Sequence, residues 1–62
     1  MPIVEMTILE GRSFEKKKAM VEAVTDAIVT SFDAPRDSVR IIIREVPPWH
    51  FAAGGVLKGE PK

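Results

Sequence analysis

Three positions in this chain could gather chemistry: Pro2, Arg12 and Arg40. Removal of Met1 is expected where a small residue follows, and it would leave the secondary amine of Pro2 as the chain terminus. An α-amino group ordinarily titrates at about pH 8. An apolar site and nearby cations disfavour the charged form and lower that value. A neutral amine can then take a proton as a general base, or attack a carbonyl to form an iminium. The pyrrolidine ring also restricts φ, so this base is held more stiffly than a lysine. A retained Met1 would instead turn the same nitrogen into an amide, which is no base.

The arginines sharpen this reading. Arg40 alternates into an apolar run, Ser38 to Val46, where an aliphatic residue would be easier to bury. If that run and Pro2–Leu9 are parallel strands, Arg40 lies at the same sheet edge as Pro2. Arg12 lies beyond the far end of the first run. At ~3.3 Å per residue, Pro2 and Arg12 are about 25 Å apart. A shared site therefore takes Arg12 from another subunit. Two guanidinium groups near one amine would bind a dianionic acid through charge-assisted pairs and depress the amine pKa. Each arginine also has a plainer reading, a surface salt bridge to Glu10 or Glu45. Phe51 and Trp49 could wall such a pocket and keep the amine dry, or could serve oligomer packing. His50, between them, reads as a hydrogen-bonded structural residue.

Other chemistries find little support. The chain has 62 residues, 45% hydrophobic and 29% charged, with nine Lys+Arg against nine Asp+Glu and no cysteine. Zero net charge gives no general pull towards nucleic acid or acidic membranes. Without cysteine there is no disulfide framework and no thiolate zinc site. One histidine makes neither a histidine-rich metal site nor a Ser-His-Asp set, and Gly54-Gly55 is too short for a phosphate loop. Lys16-Lys17-Lys18 reads as a solvated first turn of helix, since nothing basic or aromatic extends it. No apolar run approaches the roughly 18 residues of a membrane span. The start, Met1-Pro2-Ile3-Val4-Glu5, lacks a basic n-region, so a soluble, cytoplasmic chain is expected.

Residues 1–62 make a single domain. Pro2 to Leu9 reads as a strand, with Val4, Met6 and Ile8 on one face and Ile3, Glu5, Thr7 and Leu9 on the other. Glu10-Gly11-Arg12 is a short connection in which Gly11 is free to take a positive φ. Ser13 is a good N-cap, and Glu15 suits the positive end of the helix dipole. Lys16 stands where a capping box needs Glu or Gln. Met20, Val24, Ala27, Ile28 and Phe32 recur at helical spacing, with Val21 and Ala23 widening the stripe, and Asp33-Ala34-Pro35 ends the helix near Phe32. Ser38 to Val46 is a second strand, stopped by Pro47-Pro48. This spacing is that of a βαβ unit with parallel strands and a right-handed crossover, an α/β (α+β) fold. Residues Trp49 to Leu57 could form a short C-terminal hairpin flexing at Gly54-Gly55, and Lys58 to Lys62 read as a frayed polar tail. One helix on two strands leaves open edges and apolar surface, so copies should associate into four-stranded dimers and then further.

At this point the sequence resembles the 4-oxalocrotonate tautomerase family of the tautomerase superfamily. The likeness runs almost without gaps through Met1-Pro2-Ile3, Ile8-Leu9-Glu10-Gly11-Arg12-Ser13 and Asp33-Ala34-Pro35. It continues through Ser38-Val39-Arg40, Ile42-Ile43, Glu45, His50-Phe51 and Gly54-Gly55. The resemblance implies a homohexamer, a trimer of dimers, whose sites combine residues of neighbouring subunits. It implies Pro2 as the amino-terminal general base and Arg40 as the group binding one carboxylate and the adjacent oxygen. Arg12 would bind the distal carboxylate, and Phe51 and Leu9 would line the substrate. The implied isomerase moves a proton in a 2-hydroxydienoate, converting 2-hydroxymuconate to 2-oxohex-3-enedioate in bacterial breakdown of aromatic compounds. It needs no cofactor, since fixed positive charge stabilises the dienolate. Pro47-Pro48-Trp49 and Arg44 depart from the family pattern and could reshape the pocket. A related hydratase, dehalogenase or decarboxylase acting on a small unsaturated or 3-oxo acid is the alternative, as is a non-catalytic oligomeric binding module.

Overall fold

A computed structural model describes residues 1–61. Strand β1 (Ile3–Leu9) leads through a short turn into helix α1 (Phe14–Phe32), and strand β2 (Arg40–Val46) returns beside β1. The two strands are parallel, in the register Ile3–Arg40, Glu5–Ile42, Thr7–Arg44 and Leu9–Val46. Backbone bonds prolong the ladder at both ends: Arg40 N–H donates to the Pro2 carbonyl at 3.0 Å, and Glu10 N–H donates to the Val46 carbonyl at 2.9 Å. The expected βαβ unit is therefore present, with parallel strands.

Alternation along the strands decides which side meets the helix. Val4, Met6 and Ile8 of β1, with Ile41 and Ile43 of β2, are half-buried, while Ile3, Glu5, Thr7, Arg40, Ile42 and Arg44 are exposed. The helix meets this layer along Lys17, Met20, Val21, Val24, Thr25, Ile28 and Val29, which are half-buried at intervals of three and four residues. That stripe corrects the sequence reading at three residues. Ala23, Ala27 and Phe32 lie on the exposed side, and Phe32 is 75% exposed. The true stripe takes in Thr25 and Val29 instead, because the sheet touches one narrow band of the cylinder. No side chain among the described residues is fully buried.

The turns follow their residues. Gly11 has φ +128°, in the region that favours glycine. Ser13 caps α1, its Oγ accepting from the Lys16 N–H at 3.2 Å, and Asp33 ends the helix in the left-handed conformation at φ 56°. Lys17 Nζ spans from the first helical turn to both carboxylate oxygens of Glu45, each at 3.1 Å. Arg36 ties the following turn back to Asp26 at 2.5 Å.

Two boundaries move. The second strand starts at Arg40 rather than Ser38, because Arg36–Ser38 is a 3-10 turn. Ser38 holds that turn by giving both its N–H (3.0 Å) and its hydroxyl (2.7 Å) to the Pro35 carbonyl, a local alternative to strand pairing. The first strand starts at Ile3, although the Pro2 carbonyl still takes part in the ladder.

After β2, Pro48–His50 form a second 3-10 turn, followed by the antiparallel pair β3 (Ala52–Ala53) and β4 (Val56–Leu57). Gly54 and Gly55, at φ +60° and +82°, make the two-residue turn, and Lys58 N–H donates to the Phe51 carbonyl at 2.9 Å. The expected hairpin is thus present. The tail does not run free from residue 58 onward. It returns beside the Pro48–His50 turn, so closely that a Cβ on Gly59 would stand 3.0 Å from the Pro48 Cβ. The expectation for Lys62 lies outside the described residues.

Candidate active site

The parallel pairing decides which chemical groups meet. Pro2 and Arg40 share one end of the sheet, joined by the Arg40 N–H bond to the Pro2 carbonyl. Pro2 is half-buried and Arg40 exposed. The Arg40 guanidinium donates through Nη1 to the Asp37 carbonyl in the preceding turn. That contact uses one of five N–H donors and steadies the group while leaving its other edge able to take a carboxylate. Met1 stands ahead of Pro2, so the Pro2 nitrogen in this chain is an amide.

Arg12, Leu9 and Phe51 lie at the other end. Leu9 is the last residue of β1, paired in register with Val46, and Arg12 follows the Gly11 turn. Phe51 comes directly after the Pro48–His50 turn, which leaves the same end of β2. Seven residue steps of extended chain, roughly 23 Å, separate Pro2 from Leu9. One protomer therefore brings Pro2 and Arg40 together but leaves Arg12, Leu9 and Phe51 apart from them.

The salt-bridge readings for the arginines are settled differently. Glu45 is held by Lys17, and Glu10 has no ion pair among the described residues. Arg12 has neither an ion pair nor a hydrogen bond there, so its guanidinium is uncommitted among the described residues. It borders a hollow between β1 and α1 floored by Met6, Ile8 and Met20, with Lys16 and Lys17 alongside. A cation kept free of carboxylates beside apolar walls can take an external anion.

Two features were hidden in the sequence. The Asp37 carbonyl beside Arg40 could not be foreseen, because the 3-10 turn that presents it carries no distinctive motif. A concavity formed by Glu10, Gly11, Pro48, Trp49 and the tail residues Lys58 to Pro61 was also invisible. Its only signal was Gly59, a residue small enough to let the tail approach Pro48. Trp49 lies half-buried at this concavity, with His50 edge-on at 6.4 Å, so both aromatic rings belong to the Arg12 end. No cluster of metal-ligating side chains occurs among the described residues, and no helix there is long and apolar enough to cross a membrane.

A βαβ unit with a C-terminal hairpin and a proline next to its first residue matches one family model, "Tautomerase enzyme", over residues 2–60. A 2-hydroxymuconate tautomerase of Stutzerimonas stutzeri is 53% identical over 55 residues, 89% of this chain and 87% of that protein. A protein of Ralstonia nicotianae named a probable tautomerase is 45% identical over 62 residues, 100% of this chain and 89% of its own length. Among solved structures, a heterohexameric 4-oxalocrotonate tautomerase from Chloroflexus aurantiacus superposes with a TM-score of 0.90 at 42% identity, covering 100% of both chains. A 4-oxalocrotonate tautomerase isozyme from Methylibium petroleiphilum gives 0.88 at 42% identity, covering 92% of this chain and 89% of that one. These likenesses define the class as tautomerases, isomerase enzymes that relocate a proton. The chain belongs to the 4-oxalocrotonate tautomerase family of that class.

Proposed function

We propose that this enzyme isomerises 2-hydroxymuconate, or a closely related 2-hydroxydienoate, using the amine of Pro2 as its base once Met1 has been removed. The observation that carries the reading is the ladder bond that fixes Pro2 and Arg40 at one sheet end, while Arg12, with no partner among the described residues, stands at the other. Such a division suits a site completed by neighbouring subunits, in a homohexamer built as a trimer of dimers.

The chemistry is a balanced proton relocation. Pro2 accepts the proton of the 2-hydroxyl, electron density shifts along the diene, and the resulting ammonium returns a proton at carbon 5. Charge builds on the oxygen at carbon 2 as the dienolate forms. Arg40, binding the adjacent carboxylate and that oxygen, stabilises this charge where it develops. Arg12 of a neighbouring copy holds the distal carboxylate and fixes the diacid in register with the amine. Phe51 and Leu9 supply apolar wall, which keeps water away and favours the uncharged amine. No step calls for a metal or an organic cofactor.

The test couples mass to rate. Intact-mass measurement of active protein should show a chain beginning at Pro2, and loss of the dienol absorbance should report turnover. Pro2→Ala should cut turnover by about 10²–10⁴-fold while helix content stays unchanged. Full activity in that variant, or in material whose proline nitrogen is acylated by Met1, contradicts the proposal.

A further inference from the structure

We infer that Asp26 and Arg36 are positioning residues for Arg40, their ion pair mooring the turn whose Asp37 carbonyl holds the Arg40 guanidinium. This reading deepens, and rests on, the proposed role of Arg40 in stabilising the charge that develops during reaction.

Two separate supports fix Arg40. Its backbone belongs to the sheet, where its N–H donates to the Pro2 carbonyl at 3.0 Å. Its guanidinium depends instead on the 3-10 turn Arg36–Ser38, because Nη1 donates to the Asp37 carbonyl within that turn. A shift of the turn therefore moves the charged end of Arg40 and leaves its backbone in place.

The internal bonds of the turn set its shape and not its location. Ser38 gives its N–H and its hydroxyl to the Pro35 carbonyl, and Val39 N–H donates to the Arg36 carbonyl at 3.2 Å. Hydrogen-bond geometry in so short a 3-10 piece is poor, and the turn is correspondingly easy to displace. Among the described residues, one hydrogen-bonded ion pair joins it to the helix: Arg36 Nη1 donates to Asp26 Oδ1 at 2.5 Å. Asp26 lies within the regular part of α1, so the pair references the turn to the longest element of the chain.

Exposure argues against a role in stability. The Arg36 and Asp26 side chains are 57% and 65% exposed, and a pair so open contributes little to folding. The same small energy can still bias where an exposed turn sits. It can change a rate by no more than that energy allows, about fivefold. Because Arg40 meets charge that builds during reaction, its misplacement falls on kcat, while Arg12 keeps its hold on the diacid.

The experiment compares the full chain with D26N, R36Q and the conservative R36K, and repeats D26N in an R40A background. On 2-hydroxymuconate, D26N and R36Q should each lower kcat by about three- to fivefold with KM nearly unchanged. R36K keeps the ion pair and should stay within about twofold of the native chain. D26N/R40A should turn over as R40A does, since the pair acts only through Arg40. Unchanged kcat in D26N and R36Q, or the same D26N loss with and without Arg40, overturns the inference. A second measurement needs no turnover. In protein carrying isotope-labelled arginine, the Arg40 Nη–H resonances are assigned by their loss in R40A. They should be separate in the native chain, because the Asp37 contact hinders rotation of the guanidinium, and averaged in D26N. Resonances that D26N leaves untouched overturn the inference as well. Circular dichroism verifies folding; should D26N not fold, R36Q replaces it in both measurements. A native protein that leaves 2-hydroxymuconate unconverted, or an R40A variant with full turnover, sinks the proposed reaction, and the resonance comparison then decides the mooring by itself.

Discussion

Arg40 and Arg12 carry the same charge and stand in opposite circumstances. Arg40 is anchored, with its backbone N–H on the Pro2 carbonyl and its guanidinium on the Asp37 carbonyl. Arg12 has no partner among the described residues. An anchored cation suits charge that appears during reaction, and a free one suits a charge the substrate already carries. Arg40→Ala should therefore lower kcat on 2-hydroxymuconate by about 10²–10³-fold. Arg12→Ala should raise KM and leave kcat nearly unchanged, as expected for lost uniform binding. Steady-state kinetics separate the two, and equal losses of kcat in both variants would contradict the division of labour. The sequence displayed Pro2, Arg12, Arg40, Leu9 and Phe51 as residue types. It also indicated which of them share a sheet end, through the parallel pairing that βαβ spacing requires. It could not show that Lys17, one of a run of three lysines, would capture Glu45 and so remove it as a partner for either arginine.

The elements were legible wherever one local rule governed them. Ser13 caps α1 and Asp33 closes it, as their residue types suggest. Because Lys16 replaces the acid of a capping box, Ser13 Oγ is the only side-chain cap at that end among the described residues, and Ser13→Ala should cost about 1 kcal/mol in chemical denaturation. Asp33 sits at φ 56°, where a Cβ is strained, so Asp33→Gly should leave stability unchanged or raise it by up to about 1 kcal/mol. A loss of stability in that variant would mean the Asp33 side chain does more at the helix end than its backbone angle implies. Gly59→Ala would push the tail from Pro48, detectable as altered Trp49 fluorescence, since Trp49 borders the same concavity. Expectations missed where rules competed. Apolar residues surround much of α1, and only contact with the sheet selects Thr25 and Val29 over Ala27 and Phe32. Alternation would extend β2 back to Ser38, but its hydroxyl and N–H close a turn on Pro35 first.

As a whole the chain is thin and long, 43 × 24 × 13 Å, with a radius of gyration of 14.8 Å. A compact domain of this length would have about 11 Å. Its apolar layer is only half-buried, and Phe14, Phe32, Val56 and Leu57 remain well exposed. A shape with so little burial would gain stability from the proposed homohexamer, so the thermal midpoint should rise with protein concentration, by several degrees over a hundredfold range. A midpoint independent of concentration across that range would show that the isolated protomer is sufficient. Composition and periodicity by themselves determined the order of elements, the caps, the glycine turns and the candidate bases and cations, because each depends on a few neighbouring residues. Tertiary structure alone decided which carboxylate each cation meets, which helical stripe faces the sheet and where the tail lies. Those outcomes rest on contacts between residues far apart in the chain, such as Lys17 with Glu45 and Glu5 with Arg44, and no local pattern encodes the distance between them.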